Sequence, residues 1–566
     1  MKHLKRYINV FQGVKIPWLV YFLLLALGIG ESYLFLEQAT LTADIIDASQ
    51  KAINGSMLVR FIVVLVLGAV STIIDSYGSG WMSQKIILGV RTKLWNKLMR
   101  LPTRCYDTEG GDSLVSRVTT DCDYASEYFS VSIILISAVY AAIVAVRRMY
   151  SYSPVLTLYS ALTIPAVLLL SWTFGRLNFY AQNKYQSAFS NTLGYLVERT
   201  RSLRLIKAAR TEYAEQQEGR RRFQRQFRVG YLTSTANSAS VLLMEVLACV
   251  MIVIAFVAGG QLVQAGEITT GKLVGFYNLS SMMGVRLMQV LLLYGRIKAA
   301  NGRLQKIVEL LETPDEKTGG IEMDVPDADI VVRDVDFSYQ EVPVLKNLSC
   351  RIPKGEVTAI IGDNGAGKST LFKLLERMYD PGKGSVRFGD TDVREFELTS
   401  WRQSFAIVSQ DKPLLSGTVR DNILYGVRRK VSEEELVHVA KLAGIYDFVM
   451  ATPGGFDAPV GVGGGNFSGG QRQCIAIARA MMRNPDYLLL DEATSNLDAK
   501  SEKLVSQALA NLMRGRTTVM IAHSCSATRD ASHIIVLRDG QVEAEGSPEE
   551  LLKSCAFYRD FVSRTA

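Results

Sequence analysis

The chain has 566 residues, of which 48% are hydrophobic, and its mean hydropathy is +0.14. This length exceeds that of a single domain, and this hydropathy indicates a chain that is partly membrane-embedded and partly soluble. The formal net charge is +8, but the basic residues lie mainly in the N-terminal half between apolar segments, which argues against nucleic acid as a partner.

The N-terminal half contains six apolar segments, separated by gaps that are alternately short and long. A helix needs about 20 residues to cross a bilayer, so the shorter segments must extend into their flanking residues. We therefore predict six transmembrane helices, several of which continue well beyond the bilayer where the gaps are long. The segments are Pro17–Leu36, Leu58–Ile74, Val131–Val146, Pro154–Leu170, Val241–Val257 and Leu273–Tyr294.

Basic residues concentrate in the two long gaps, from Lys85 to Arg104 and from Arg199 to Arg228. Lys and Arg are enriched in the cytoplasmic loops of membrane proteins. The pattern predicts a multi-pass membrane protein with both gaps and both termini in the cytoplasm, and we expect a bacterial inner (plasma) membrane.

Four ionisable residues lie deep in this half: Glu31, Asp75, Glu245 and Arg286. Counting residues from the outer turns places Glu31 level with Asp75, and Glu245 level with Arg286. The second pair predicts an ion pair between helices five and six. The first pair repels unless a cation, a proton or water is present. Ionisable groups within a bilayer are functional candidates, so we expect these four to line a cavity. The alternative is a hydrated wall without a binding role.

The stretch Leu310–Gly320 loses hydrophobicity and gains Pro, Gly and charge, which is typical of a linker. We place a transmembrane domain at 1–311, a linker at 312–320 and a second domain at 321–566. In the second domain, short β-rich runs alternate with helical stretches, the pattern of a P-loop α/β core. The predicted fold is thus an all-α six-helix domain followed by an α/β domain.

A phosphate-binding loop follows the β-run Glu356–Ile361. Its glycines let backbone N–H groups surround phosphate oxygens, Lys368 reaches the outer phosphates, and the Ser369 hydroxyl faces Mg²⁺. Further along, the run Tyr487–Leu490 delivers Asp491 to the same sheet edge, where a carboxylate holds the Mg²⁺ shell. The motif predicts binding of a nucleoside triphosphate and Mg²⁺. The loop and its first helical turn consist of Gly362, Asp363, Asn364, Gly365, Ala366, Gly367, Lys368, Ser369 and Thr370.

Between these two motifs stands Asn466–Gln471, with the sequence Asn-Phe-Ser-Gly-Gly-Gln. Together with the loop and Asp491 it resembles the signature of ATP-binding cassette (ABC) transporters, and the N-terminal half resembles type IV ABC exporters in layout. The resemblance implies a half-transporter whose ATPase domain includes a helical subdomain.

The resemblance also implies roles for individual residues. Glu492 would polarise the attacking water, His523 would contact the γ-phosphate, and Tyr339 would stack on adenine. Gln410 matches the Q-loop, at the γ-phosphate and Mg²⁺, and Asp498 matches the D-loop. With Lys368, the residues Glu492, His523 and Gln410 form the expected catalytic set. The signature residues that would bind the γ-phosphate held by the opposite subunit are Ser468, Gly469, Gly470 and Gln471.

One position departs from the family pattern. The family's exporters usually carry a Glu five residues before Phe467, in a loop that faces the membrane domain, and here that position is Val462. We expect hydrolysis to survive this difference, whereas its transmission to the membrane helices is either impaired or runs through other contacts.

The resemblance implies ATP-driven export by alternating access, with a peptide, a drug-like molecule or a lipid as cargo. The motifs are near consensus, so we expect a homodimer, with a related half-transporter as the other possible partner. Few residues precede Pro17, so we do not expect an exporter with an N-terminal peptidase that cleaves leader peptides, and cargo that arrives already processed stays open. The acidic Glu31–Asp75 level predicts cationic or zwitterionic cargo. The alternative function is import of a metal chelate or siderophore by the same fold.

Overall fold

The computed structural model describes residues 2–49, 55–323, 328–409, 414–491, 498–522, 528 and 531–565. They form two compact units. The first comprises Met1–Met99 and Gly111–Pro314, and the second comprises Arg100–Gly110 and Asp315–Ala566. The division after Pro314 falls inside the predicted linker, but the short segment Arg100–Gly110, predicted as part of the first domain, belongs to the second unit.

The described residues up to Glu312 are helical wherever they form regular structure. The helices in chain order, of which α4 belongs to the second unit, are α1 (Lys2–Phe11), α2 (Trp18–Ser49), α3 (Gly55–Leu98), α4 (Thr103–Glu109), α5 (Gly111–Thr119), α6 (Glu127–Tyr152), α7 (Pro154–Arg201), α8 (Leu203–Ala209), α9 (Glu212–Gln264) and α10 (Thr270–Glu312).

Each of the six predicted segments falls in a separate long helix, namely α2, α3, α6, α7, α9 or α10, to within one residue. Helix α9 has 53 residues, which corresponds to roughly 80 Å at 1.5 Å per residue and far exceeds the hydrocarbon core of about 30 Å. Within the described part of the chain, three stretches are apolar and long enough to cross a membrane: Trp18–Ser49, Gly55–Leu98 and Gly111–Tyr152.

Local sequence explains where these helices begin and how closely they approach. Ser153 caps α7, accepting a hydrogen bond from the Leu156 amide at 3.3 Å. Thr269 caps α10 in the same way. At the start of α10 a Cβ on Gly271 would lie 2.0 Å from the Ala43 carbonyl oxygen, so only glycine permits this contact between α10 and α2.

The second unit contains two larger sheets. Its strands are β1 (Ile330–Tyr339), β2 (Val342–Ile352), β3 (Val357–Gly362), β4 (Lys383–Phe388), β5 (Thr391–Asp392), β6 (Phe405–Val408), β7 (Gly417–Thr418), β8 (Pro459–Val460), β9 (Tyr487–Asp491), β10 (Thr517–Ile521), β11 (His533–Arg538) and β12 (Gln541–Gly546). Counted over the described residues, one sheet has six strands in the order β12-β11-β3-β10-β9-β6, and the other has four in the order β2-β1-β4-β5. All neighbours in the six-stranded sheet are parallel except β11 and β12.

Apolar cores lie on both faces of the larger sheet, which is why its central strands read as continuous hydrophobic runs. A further core joins the helices between β7 and β10, around the buried Cys474 and Ile477, and forms the helical subdomain. The helices of this unit after α4 are α11 (Lys368–Leu375), α12 (Leu398–Ser404), α13 (Val419–Ile423), α14 (Glu433–Leu442), α15 (Tyr446–Ala451), α16 (Gly469–Arg483), α17 (Ala499–Met513), α18 (Pro548–Ser554) and α19 (Ala556–Thr565).

Hydrogen bonds explain why Arg100–Gly110 belongs to the second unit. The amide of Glu316 donates to the Arg100 carbonyl at 2.8 Å. The Glu316 carboxylate in turn accepts two hydrogen bonds from Arg402, at 2.9 and 2.7 Å. A bidentate Arg–carboxylate pair fixes orientation as well as distance. Glu316 thus hydrogen-bonds both to the segment that carries α4, through Arg100, and to α12, through Arg402.

Candidate functional site: an ATP-binding site

The phosphate-binding loop connects β3 to α11 and holds its lysine at the loop. Lys368 is 7% exposed, and its Nζ donates to the carbonyl oxygens of Gly362 at 2.7 Å and Asp363 at 3.0 Å. Lys368 is also the first residue of α11. The ammonium group and the N–H groups of a helix N-terminus thus lie together, an arrangement suited to phosphate.

Two glycines in the loop leave no room for a side chain. A Cβ on Gly362 would lie 2.1 Å from the Leu537 carbonyl oxygen, and one on Gly367 would lie 2.4 Å from Leu345 Cδ2. Gly367 also has a φ of +100°, which L-residues with side chains rarely adopt. The backbone path around the phosphate site therefore depends on glycine at both positions.

The register of the parallel strands brings Asp491 towards the loop. Ile521 of β10 pairs with Asp491 on one side and with Ile360 on the other. Asp491 is therefore level with Ile360, two residues before Gly362, at roughly 10 Å across two strand spacings. A hard cation with phosphate and water ligands needs few protein oxygens. The Ser369 hydroxyl and the Asp491 carboxylate suit Mg²⁺ in that role.

A second carboxyl group reinforces the negative potential at Asp491. Burial raises the pKa of Glu376 to about 7, Arg402 opposes this shift, and the charge of Asp491 adds to it. The two carboxyl groups are therefore close enough for their charges to interact, and a cation near Asp491 would relieve that repulsion. Sequence reasoning missed Glu376, because an acidic residue after a helix carries no motif.

Tyr339 stands at the end of β1 in a cluster of aromatic rings. Its ring lies edge-to-face with those of Phe337 at 5.0 Å and Tyr379 at 5.4 Å, and Lys373 Nζ lies 5.2 Å from its centroid. Stacking of Tyr339 on adenine stays a prediction.

The same cluster contacts α4. The Tyr379 hydroxyl donates to the Asp107 carboxylate, and Lys373 Nζ lies 3.7 Å from an Asp107 oxygen. Nearby, the Thr103 hydroxyl donates to Met378 Sδ at 3.3 Å. Burial and the Asp107 hydrogen bond raise the pKa of Tyr379. The predicted adenine site and the α4 segment thus share Tyr379 and Lys373 as neighbours.

The signature forms a capped helix start. Ser468 Oγ accepts from the Gln471 amide at 3.3 Å and Gln471 Oε1 accepts from the Ser468 amide at 2.9 Å, a reciprocal capping box. Ser468 is exposed, whereas Gly470 is buried. A Cβ on Gly470 would lie 2.6 Å from Ser501 Cβ, so the N-termini of α16 and α17 abut. Asp498 caps α17.

Three predicted catalytic residues, Gln410, Glu492 and His523, lie outside the described residues. Their roles stay predictions from sequence. Val462 begins a short 3-10 turn, Val462–Gly464, upstream of the signature.

In the first unit, Glu31 of α2 lies within electrostatic range of Asp75 of α3 and of Arg286 of α10, with the Ser71 and Thr72 hydroxyls beside it. The ion pairs found among the described residues do not include the expected one between Glu245 and Arg286. Arg286 instead donates to Gln289 at 3.0 Å on its own helix, and Glu245 is exposed on α9 beside Leu242 and Cys249. Counting residues gives depth along a helix but not the direction of a side chain.

A P-loop domain joined in one chain to long apolar helices defines a membrane transport ATPase, and comparisons with known proteins agree. A family profile described as "ABC transporter transmembrane region" matches residues 19–287, and one described as "ABC transporter" matches residues 345–495. The chain belongs to the ABC transporters, as a half-transporter of the type IV layout that couples ATP hydrolysis to transport.

Relatives align along nearly the whole chain. It is 28% identical to a multidrug resistance ABC transporter ATP-binding and permease protein of Lactococcus lactis, over 99% of this chain and 95% of that protein. It is 30% identical to an ATP-dependent lipid A-core flippase of Vibrio vulnificus, over 89% and 88%. A solved bacterial Atm1-family ABC exporter with ATP bound has the same fold, with a TM-score of 0.82 and 22% identity over 96% and 97%.

Proposed function

We propose that the chain is one half of a homodimeric exporter that moves a peptide, a drug-like molecule or a lipid by alternating access. Two ATP molecules would lie between two ATPase domains, each in contact with the phosphate-binding loop of one chain and the signature of the other. The exposed, capped start of α16 supports this proposal, because a helix N-terminus with Ser468 at its cap is a second anion site. ATP bound to both surfaces would stabilise the dimer.

In this mechanism Lys368 and the amides of α11 hold the phosphates, while Ser369 and Asp491 would hold Mg²⁺, which neutralises developing charge on the transferred phosphoryl group. Glu492 would orient water, and His523 and Gln410 would contact the γ-phosphate. Hydrolysis would separate the domains and reset the membrane helices.

Transport direction tests the proposed function against import of a metal chelate or siderophore. In inside-out vesicles the ATPase domains face the external solution. For an exporter, we expect ATP added to that solution to drive cargo into the vesicle lumen. Movement of cargo out of preloaded inside-out vesicles, with ATP on the outer side, would favour import. The names of the relatives, a multidrug transporter and a lipid flippase, support export.

Assembly yields a testable expectation. Because the signature, the phosphate-binding loop and Asp491 all occur in this chain, two copies supply two complete sites. The chain purified alone into nanodiscs should therefore have the mass of a dimer and should hydrolyse ATP. A monomer without ATPase activity would indicate that a different half-transporter is required.

The contact between α4 and Tyr379 offers a route for coupling in a chain that has Val462 in place of the usual Glu. Replacing Asp107 with Asn removes the charge that faces Lys373 and weakens the Tyr379 hydrogen bond. We expect ATP affinity to be retained and the ratio of cargo-stimulated to basal ATPase activity to fall severalfold.

Asp112→Asn is a matched control, because Asp112 is an exposed carboxylate on the adjacent α5 whose ion pair with Arg201 is long, at 3.4 Å. Such exposed pairs contribute little. If Asp107→Asn and Asp112→Asn change the stimulation ratio equally, α4 does not couple through this contact.

A further inference from the structure

A cavity of about 1830 Å³ lies within the first unit, between α7, α9 and α10. Its lining residues run from Gly175 to Tyr185 on α7, from Phe223 to Asn237 on α9 and from Val290 to Ala299 on α10. The stretches on α7 and α9 lie just beyond the apolar segments of those helices, on the side of the long predicted cytoplasmic extensions, and the stretch on α10 spans the end of its apolar segment at Tyr294. The volume is large enough for a molecule of lipid or drug size.

Helix α9 contributes an aromatic wall. Phe223, Phe227 and Tyr231 recur every four residues and therefore share one face of the helix. All three line the cavity, with exposed fractions of 50%, 72% and 62%. The rings of Phe227 and Tyr231 stack with centroids 6.3 Å apart. Exposed aromatic surface of this kind is typical of sites that contact an apolar group.

Helices α7 and α10 contribute cations. Lys298 Nζ lies 4.0 Å from the centroid of the Phe179 ring, which holds the ammonium group inside the cavity by a cation–π contact. Arg176 precedes Phe179 by three residues on α7, so the two side chains share a face, and both line the cavity. The lining residues found in the described part of the chain include amides and hydroxyls but no Asp or Glu.

We propose that this cavity binds an amphipathic anion, whose phosphate or carboxylate group pairs with Lys298 and Arg176 while its apolar body packs on Phe223, Phe227 and Tyr231. The enrichment of Lys and Arg on the cytoplasmic side of membrane proteins explains cations in this part of the helices. It does not explain the aromatic wall of α9, which lines the same cavity. Both features together match a ligand with one apolar and one negatively charged part.

This inference rests on the proposed function and narrows its cargo. It differs from the expectation of cationic or zwitterionic cargo at Glu31 and Asp75, which belong to α2 and α3 and do not line this cavity. At that cluster, Arg286 lies in range of Glu31 and offsets part of the negative charge.

The test measures binding of dodecyl compounds that differ only in the head group: phosphate, phosphocholine, trimethylammonium and glucoside. We expect dodecyl phosphate to bind most tightly. Lys298→Gln and Arg176→Gln should each weaken it by about tenfold, the value of one charge-assisted hydrogen bond, and leave the glucoside unchanged. Lys298→Arg should restore binding. Lys306→Gln, an equal charge change at an exposed position of α10 outside the cavity, should have no effect.

Thermal unfolding of each variant checks its fold, and the two glutamine variants provide independent tests. Nanodiscs with acidic lipid identify the natural source of the anion. Competition of the acidic lipid with dodecyl phosphate indicates a lipid headgroup, and the absence of competition indicates a soluble amphiphile.

Equal binding of all four compounds, or no effect of either glutamine variant on the binding of dodecyl phosphate, overturns the proposal. So does a preference for trimethylammonium that Glu31→Gln and Asp75→Asn remove. Wild-type ATPase activity and vesicle transport test the proposed function separately.

Discussion

Replacing Glu492 with Gln will leave ATP binding intact and lower ATP turnover by on the order of a hundredfold or more, the usual contribution of a positioned general base. β9 ends with Asp491, so Glu492 is the next carboxylate after the proposed Mg²⁺ ligand. The amide keeps the size of the side chain but cannot polarise water. In the proposed homodimer bound ATP would stabilise the closed form, so the variant should also accumulate in that form when ATP is added.

Turnover and ATP binding of the Glu492→Gln protein are measured side by side with those of Glu434→Gln, which removes an exposed carboxylate from the first turn of α14 in the helical subdomain. The control should behave as wild type. Near-wild-type turnover in Glu492→Gln would refute the role assigned to Glu492 and direct attention to Glu376 as the other carboxyl group near Asp491.

Replacing Lys368 with Met should weaken ATP binding by on the order of a hundredfold, because truncating one partner of a buried charge pair costs about 3 kcal/mol. Lys368 is buried against the carbonyl oxygens of Gly362 and Asp363, so the ammonium group is positioned before phosphate arrives. Methionine keeps most of the volume of the lysine side chain and removes its charge. ATPase activity should fall with the affinity.

Equilibrium binding of a fluorescent ATP analogue measures this loss, with Lys441→Met as the control. Lys441 is exposed on α14 in the helical subdomain, where its ammonium group lies over the Tyr446 ring rather than beside Tyr339. A loss in Lys368→Met no larger than that in Lys441→Met would show that the loop lysine does not dominate phosphate binding.

Periodic and short-range features of this protein could be predicted from sequence. The six apolar segments predicted six long helices, and the glycine-rich loop after a β-run predicted the turn between β3 and α11. The capping box at Ser468 is likewise contained in four consecutive residues. These features depend on neighbours in the chain, whose geometry the sequence pattern specifies.

Features made by distant residues could not be predicted. The contact of Asp107 with Tyr379 joins positions 272 residues apart, and neither residue carries a motif. The expected ion pair between Glu245 and Arg286 was wrong, because residue counts do not define the direction in which a side chain leaves its helix. The aromatic wall of α9 was also missed, since three rings spaced along a helix are more often core than binding surface.

The assignment of Arg100–Gly110 to the second unit has a consequence for how that unit behaves when it is cut from the chain. A fragment that begins at Asp315 lacks the Arg100 carbonyl that satisfies the Glu316 amide and the carboxylate that accepts from Tyr379. In the intact chain both ends of α4 are tethered, which gives it an effective concentration in the millimolar range at its binding surface. A free α4 peptide would have to reach that concentration to take its place, so a fragment that begins at Asp315 is a truncated domain rather than a complete one.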